Sequence, residues 1–320
     1  MTLKPIRCLG GLDEAGVGPI LGPMVVAGVL MRGAEGVDPW DALASQVART
    51  HPSDGRIHVA DSKKVHQGRH ALQRLERTAL SFWSAWRGAV PRTLDELLGP
   101  AGVDLTALRR CPWYEALELP LPLAHDRSEI ELRAHLLQNA ADAAGIEVLH
   151  LALRPVDVEE FNASIGATDN KSDTHFAAYS AVLAALLRRS PDGAHVVADR
   201  CGGRVRYRRK LCEVFPDARI RTLDERAELS VYRVELPSAT TRVTFACQGE
   251  DRAFPTALAS CLAKYVREAM LRVLNLWFAA RVPALRPTAG YHTDGQRFLR
   301  DVAAVVEAEA LPRELLVRSR

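Results

Sequence analysis

Cysteine is scarce and unpatterned in this chain. Cys8, Cys111, Cys201, Cys212, Cys247 and Cys261 are scattered over 320 residues, with no Cys-x-x-Cys pair and no histidine partner at zinc spacing. That excludes a disulfide scaffold or a structural zinc module and leaves reduced, mostly structural thiols as the expectation. Long apolar runs are also missing: Met24 to Met31 and Ala177 to Leu187 are the longest, and both are too short to span a bilayer. No secretory apolar segment precedes the Asp13 region, so a cytoplasmic location with no membrane partner is expected. There is no Gly-x-Ser-x-Gly elbow, no Walker loop, no internal repeat and no low-complexity tract. Nor does one sign of charge dominate. With 42 basic and 39 acidic residues the formal net charge is only +3, which by itself names no partner.

What is present is an ordinary globular composition, 48% hydrophobic and 25% charged, in a chain long enough for a full core. We expect one catalytic domain over residues 1–320, monomeric, with protein partners left open. The stretch Gly10 to Leu30 organises it. Apolar residues on either side of Gly16, Gly18, Pro19, Gly22 and Pro23 read as two strands joined by a glycine- and proline-rich turn. Asp13 and Glu14 stand at the end of the first. Because strand side chains alternate faces, the two acids are expected to share a site only where the backbone leaves ideal geometry.

Further along, a helix is expected around Trp40 to Thr50, and Ile57 to Ala60 is a short strand ending in Asp61-Ser62-Lys63-Lys64. Helical periodicity runs through Arg69 to Trp86, Glu129 to Gly145, Thr174 to Arg189 and Phe254 to Ala280. Asp61 or Ser62 is the expected cap at the approach to the first of these. Strands are expected at Ile146 to Leu153, at His195 to Ala198 delivering Asp199, and in a hairpin about Pro237-Ser238. The prolines of residues 91–127 mark an insertion or subdomain, and residues 219–247 an extended hairpin insertion. Short first connections alongside alternating strands and helices predict an α/β fold with a mixed central sheet flanked by helices.

Four acids, Asp13, Glu14, Asp199 and Glu268, sit where strand ends and the long helix can bring them together. Oxygen ligands of this kind suit Mg²⁺ or Mn²⁺, and two such ions about 4 Å apart support phosphodiester hydrolysis. Between Arg200 and Lys210 there are six basic residues and no acid, a patch suited to a phosphate backbone.

With these residues in view, the chain resembles the type 2 ribonucleases H, ribonuclease HII in particular. Gly11-Leu-Asp-Glu-Ala-Gly-Val-Gly-Pro with Gly22-Pro23 is similar to the family's Asp-Glu-Ala-Gly-Arg-Gly-Pro…Gly-Pro, and Asp61-Ser-Lys-Lys64 to its Asp-Ser-Lys. Phe161-Asn162 through Thr168 and then Val196 to Asp199 resemble the segment and strand that lead to its third acid. Gln248-Gly249-Glu250 followed by Ala259-Ser-Cys-Leu-Ala-Lys-Tyr-Val-Arg-Glu268 parallels Lys-Gly-Asp…Ala-Ser-Ile-Leu-Ala-Lys-Val-Thr-Arg-Asp, and Gly290-Tyr291 its late Gly-Tyr.

The resemblance implies a ribonuclease H-like fold with C-terminal helices particular to the family. It implies metal-dependent cutting of the RNA strand, or of embedded ribonucleotides, in RNA/DNA hybrid or duplex DNA, leaving 3′-hydroxyl and 5′-phosphate ends. It also implies Asp13, Glu14, Asp199 and Glu268 as catalytic metal ligands for two divalent ions, and Gly16, Val17 and Gly18 at the ribose 2′-OH. Ser62, Lys63, Lys64, Arg204 and Arg206 would be substrate contacts, with Tyr291 packing on a sugar. Val17 departs from the family's Arg or Lys, and Glu268 from the Asp of ribonuclease HII, although ribonuclease HIII is similar in using Glu. A catalytically weak nucleic-acid-binding paralogue, or another nuclease of this fold such as a junction resolvase, remains the alternative.

Overall fold

The computed structural model describes residues 6–190 and 192–319. The two ends of the expected 1–320 domain, residues 1–5 and 320, lie outside the described residues.

The chain forms a mixed α/β fold around one seven-stranded sheet. The apolar runs beside the glycine turn become β1 (Ile6–Ala15) and β2 (Met24–Ala34), paired antiparallel. After α1 (Ala71–Arg87) and α2 (Arg127–Ala144), β3 (Glu147–Val156) adds antiparallel to β2. Two further helices, α3 (Val158–Thr168) and α4 (Lys171–Arg188), are capped by the side chains of Asp157 and Asn170. They lead into β4 (Ala194–Asp199), which lies parallel to β1. α5 (Arg208–Val214) then precedes an antiparallel meander of β5 (Arg219–Glu225), β6 (Leu229–Glu235) and β7 (Thr240–Ala246). β7 returns parallel to β4, so the strand order is β3-β2-β1-β4-β7-β6-β5. The long α6 (Phe254–Ala279) and α7 (His292–Asp301) follow.

The sheet separates two apolar cores. On one face Leu12, Val26, Val196, Val243 and Phe245 pack with Phe176, Tyr179 and Leu183 of α4 and Tyr207 before α5. On the other, α6 packs against Val25, Ala27, Val29, α1 and the 91–127 segment. Lying between two layers, α6 is buried on nearly every side, which is why its sequence is almost uniformly apolar from Phe254 to Phe278. The proline-rich segment folds as short turns of helix, with the Trp113 ring tilted against Phe278 at 6.1 Å between centroids and edge-on to Trp277.

The expected helix at Trp40 to Thr50 shrinks to Pro39–Ala42. Asp38 caps that single turn, Trp40 Nε1 donates to the Val59 carbonyl at 2.9 Å, and Val47–Ala48 pair in parallel with Ile57–His58. A tertiary pairing outweighs the local helical pattern there. Asp61 caps the short helix Ser62–Val65 rather than α1, which starts at Ala71 with no side-chain cap.

β1 and α6 meet at Gly11. A Cβ on Gly11 would lie 2.1 Å from the Thr256 nitrogen and 2.2 Å from the Pro255 carbonyl carbon, backbone atoms that cannot yield. Gly203, by contrast, faces open space. Gly11→Ala is therefore expected to lower stability by about 3 kcal/mol or to prevent folding, whereas Gly203→Ala stays within about 0.5 kcal/mol of wild type. Thermal melts followed by circular dichroism check both; equal melting temperatures would refute the contact.

Candidate active site

The parallel strands set the site. Pairing of β1 with β4 runs from Cys8–Ala194 to Leu12–Ala198, so the next step of the register sets Asp13 beside Asp199 at the C-terminal ends of both strands. Such strand ends are the usual ligand edge of an α/β sheet. β7 ends level with Asp199, at Ala246. Beyond it Gln248 takes a left-handed conformation (φ +55°) and Gly249–Asp251 form one turn of 3₁₀ helix that brings Glu250 back to the same edge.

Asp13 and Glu14 reach one another with β1 still regularly paired to β2 as far as Ala15, so the expected departure from ideal strand geometry is not needed. Asp13 is on the α6 face, its carboxylate accepting the Glu14 backbone N–H at 2.7 Å. Glu14 is on the opposite face, where α4 holds it: the Tyr179 hydroxyl donates to Oε2, and His175 Nε2 is 3.3 Å from the same oxygen. Because the sheet ends here, the carboxylates meet around the edge of the strand. Oxygen atoms of Asp13, Glu14 and Asp199 all lie within 4.8 Å of one another. Among the described residues this is the single cluster with such ligand spacing.

Glu250 joins these three in lining a cavity of about 260 Å³, together with residues 15–19, Asp61, Ser62, Lys63, Ser260, Lys264 and Tyr291. Its Oε2 is buried without a hydrogen-bond partner. Burial, then the neighbouring Asp199 and Asp61, push the Glu250 carboxyl up to about 7. Asp13 is raised well above the usual carboxylate range by burial and by Glu14 and Asp199, with a Ser260 hydrogen bond opposing. Asp199 is raised by burial, although it accepts the Gly249 N–H at 3.0 Å. Glu14 alone is lowered: burial raises it, and His175 and Tyr179 outweigh that.

Glu268, the expected fourth ligand, is not part of this group. It accepts from Lys264 Nζ at 2.7 Å and Arg267 Nη1 at 3.1 Å, and those cations lower its pKa against the effect of burial. Glu268 does not line the cavity, although Ser260 and Lys264 of the same helix do. Glu250 does line it, as does Asp61.

The substrate-contact residues divide similarly. Ser62 is buried and accepts from Ser260 Oγ at 3.0 Å, and Lys63 lines the cavity, its pKa raised by Asp61 and then by Asp13 and Glu250. Lys64 turns aside to Asp251 at 2.6 Å. Arg204 is held by Asp173 at 2.6 Å, and Arg206 is exposed; neither lines the cavity. Tyr291, 54% exposed, is at the rim with its ring open to solvent.

The loop carrying Gly16, Val17 and Gly18 is braced from below. Gly16 has φ +89°, and a Cβ there would strike Arg267 at 2.5 Å. Ile20 N donates to the Gly290 carbonyl at 2.8 Å. Arg318, buried and stacked 4.8 Å over Phe161, donates to the carbonyls of Gly16 and Gly22. Burial and the neighbouring Arg267 lower its pKa to about 9. Asn162 anchors the same segment by donating to the Glu314 and Val317 carbonyls.

No protein-family model matches the chain, and no curated protein does. Solved structures that are similar include RNase HII from Archaeoglobus fulgidus in its PCNA complex, at 16% identity and TM-score 0.43, covering 98% of this chain and 94% of that one. Bst-RNase HIII in complex with Mn²⁺ aligns at 14% identity and TM-score 0.43 over 98% of this chain and 66% of the other. Ribonuclease H2 from Pyrococcus horikoshii OT3 aligns at 11% identity and TM-score 0.42, over 97% and 92%.

A carboxyl whose folded pKa is about 7, against an ordinary 4.5, binds its proton more tightly folded than unfolded. Its effect on stability is therefore neutral well below pH 4.5, and it destabilises progressively as pH rises from there through about 7. Glu250→Gln is expected to stabilise metal-free protein near pH 8 by on the order of 1 kcal/mol after solvent screening, seen as a higher melting temperature, and to change nothing near pH 4. Differential scanning calorimetry at both pH values checks this, and a variant less stable near pH 8 would refute it.

Proposed function

We propose that the chain is a metal-dependent endonuclease of the type 2 ribonuclease H kind, hydrolysing the RNA strand or embedded ribonucleotides in RNA/DNA hybrid or duplex DNA. The observation that carries this reading is convergence. Residues from motifs far apart in sequence, Asp13-Glu14, Gly16 to Gly18, Ser62-Lys63, Asp199, Glu250, Ser260 with Lys264, and Tyr291, line one cavity.

The donor set fits hard divalent cations. It consists of carboxylate oxygens, from three residues within 4.8 Å of one another, with the proton affinities of Asp13 and Asp199 raised by burial and then by neighbouring acids, and one buried oxygen of Glu250 unpartnered. Asp13, Glu14, Asp199 and Glu250 would hold Mg²⁺ or Mn²⁺, which when bound activates water and stabilises the leaving 3′-oxygen. The protein's own residues supply the rest. α4 fixes the orientation of Glu14 through His175 and Tyr179, and Gly249 fixes that of Asp199. Lys63 and Lys264 place positive charge at the rim where a phosphate enters. The backbone of Gly16 to Gly18 approaches the ribose, where the 2′-OH distinguishes RNA from DNA, and Tyr291 offers a ring to the sugar beside it.

Cleavage of a duplex with one embedded ribonucleotide is expected in Mn²⁺ or Mg²⁺, giving 3′-hydroxyl and 5′-phosphate ends and lost in Asp13→Asn. Glu250→Gln is expected to cost on the order of 10²-fold or more. Glu268→Gln, which loosens its ion pairs with Lys264 and Arg267, stays within about tenfold. End-labelled gels and single-turnover rates check the set. No cutting of this duplex or of a long hybrid in either metal would end the reading in favour of a binding paralogue, an alternative raised by the uncharged Val17 at the rim. A larger loss for Glu268→Gln than for Glu250→Gln would reverse the assignment of the fourth acid.

A further inference from the structure

Beyond the acidic cavity, the sheet carries a second charged surface. Over the arginine-bearing part of β5, β6 and β7, ahead of a register irregularity between Thr222 and Asp224, the faces alternate: Ile220, Tyr232, Val234, Val243 and Phe245 face the core under α4 and α5, and Arg221, Arg233 and Arg242 face away. On that outward side Arg221 is opposite Arg233 and Arg233 is opposite Arg242, a row of cationic side chains across three strands; His195 of β4, opposite Arg242, is biased toward its neutral form by burial and by that arginine. Arg219 follows on the same face. All four arginines are exposed. Like charges directly opposed across strands destabilise a sheet, so the row works against the fold.

Little within the chain neutralises it. Arg221 pairs with Glu235 at 3.1 Å, but Arg219, Arg233 and Arg242 have no ion-pair partner among the described residues. The run from Arg200 to Lys210 differs: Arg204 and Lys210 are bound to Asp173 and Arg209 to Glu213. Arg206 and Arg208 of that run are also exposed without an ion-pair partner among the described residues, but on the sheet strand register sets the arginines side by side, and Arg233 and Arg242 line an open cavity of about 730 Å³.

The row is in register with the acids. His195 and Asp199 share a face of β4, four residues and about 13 Å apart, and Arg242 and Arg233 are on the next two strands at about 4.8 Å each. Along one strand of a duplex, with a phosphate every 3.4 Å or so of axis, 13 Å is roughly four nucleotides.

We propose that this open face of β5–β7 binds the phosphodiester backbone of a nucleic-acid duplex, gripping the flank roughly four nucleotides from the acidic cavity. The inference rests on the nuclease reading for its choice of ligand, but its test needs no turnover. Fluorescence anisotropy in EDTA measures affinity for RNA/DNA hybrids of about 8 and about 24 base pairs across a salt series. The Arg233→Gln/Arg242→Gln protein is compared with Arg87→Gln/Arg110→Gln, which removes the same charge elsewhere.

The face variant is expected to bind the longer hybrid about tenfold more weakly, with a salt slope reduced by about 1 to 2, and to lose most of the advantage of length. Its melting temperature does not fall, because a repulsion has been removed. Arg233→Lys/Arg242→Lys restores most of the binding. Equal affinities and slopes for the face and control variants overturn the proposal. If wild type cleaves while the two variants bind alike, the face fails and the nuclease reading stands. If wild type binds with the predicted slope but never cleaves, the reverse holds; if it binds no duplex, the face proposal falls.

Discussion

Carboxylates crowded into one small buried space repel one another, and much of the local architecture serves to keep them there. Burial and mutual repulsion both favour the protonated form, so each acid must be restrained individually or it would turn toward water. Glu14 is restrained by two side chains one helical turn apart on α4. Asp199 is held by the backbone amide of Gly249, where a Cβ would lie a tight 3.1 Å from the Asp199 nitrogen. Glu250 lacks such a restraint on one oxygen. That imbalance is what makes the edge of the sheet chemically distinctive: it is a preformed arrangement of oxygen ligands whose repulsion a divalent cation would relieve.

Much of this fold is legible in the residues. The helices α1, α4 and α6 announce themselves by periodicity, and β1 and β2 by apolar runs around a glycine turn, because those signals are local. What escaped depends on tertiary contact. Trp40 to Thr50 has a helical pattern, yet Val47 and Ala48 pair with Ile57 and His58, partners no local rule names. Glu268 and Glu250 illustrate the same limit within the site. A helix reports its residues at fixed spacing, so Glu268 is conspicuous beside Lys264, but nothing in that spacing says how far along its axis the cavity extends. Glu250 is in an irregular turn with no pattern, and its one sequence signal is that Gln248-Gly249 follow a strand end. His175 and Tyr179 were readable in principle, as polar groups four apart on a buried helical stripe.

Charge behaves likewise. Six basic residues between Arg200 and Lys210 are easy to see, yet Asp173 and Glu213 neutralise several of them in space. The arginines of β5–β7 are dispersed singly among apolar residues, and only strand register collects them. A tally along the chain measures density; exposure without a partner decides whether density is available for binding.

The brace beneath the glycine loop links the two extremes of the polypeptide: Arg318 bonds to Gly16, three hundred residues earlier, and the Gly290 carbonyl caps Ile20 and Leu21. The shape of the cavity rim thus depends on a contact made from far along the sequence rather than on the strands that bear the acids. Loss of that one guanidinium would free the Gly16 and Gly22 carbonyls and loosen the loop while leaving the acidic edge of the sheet in place.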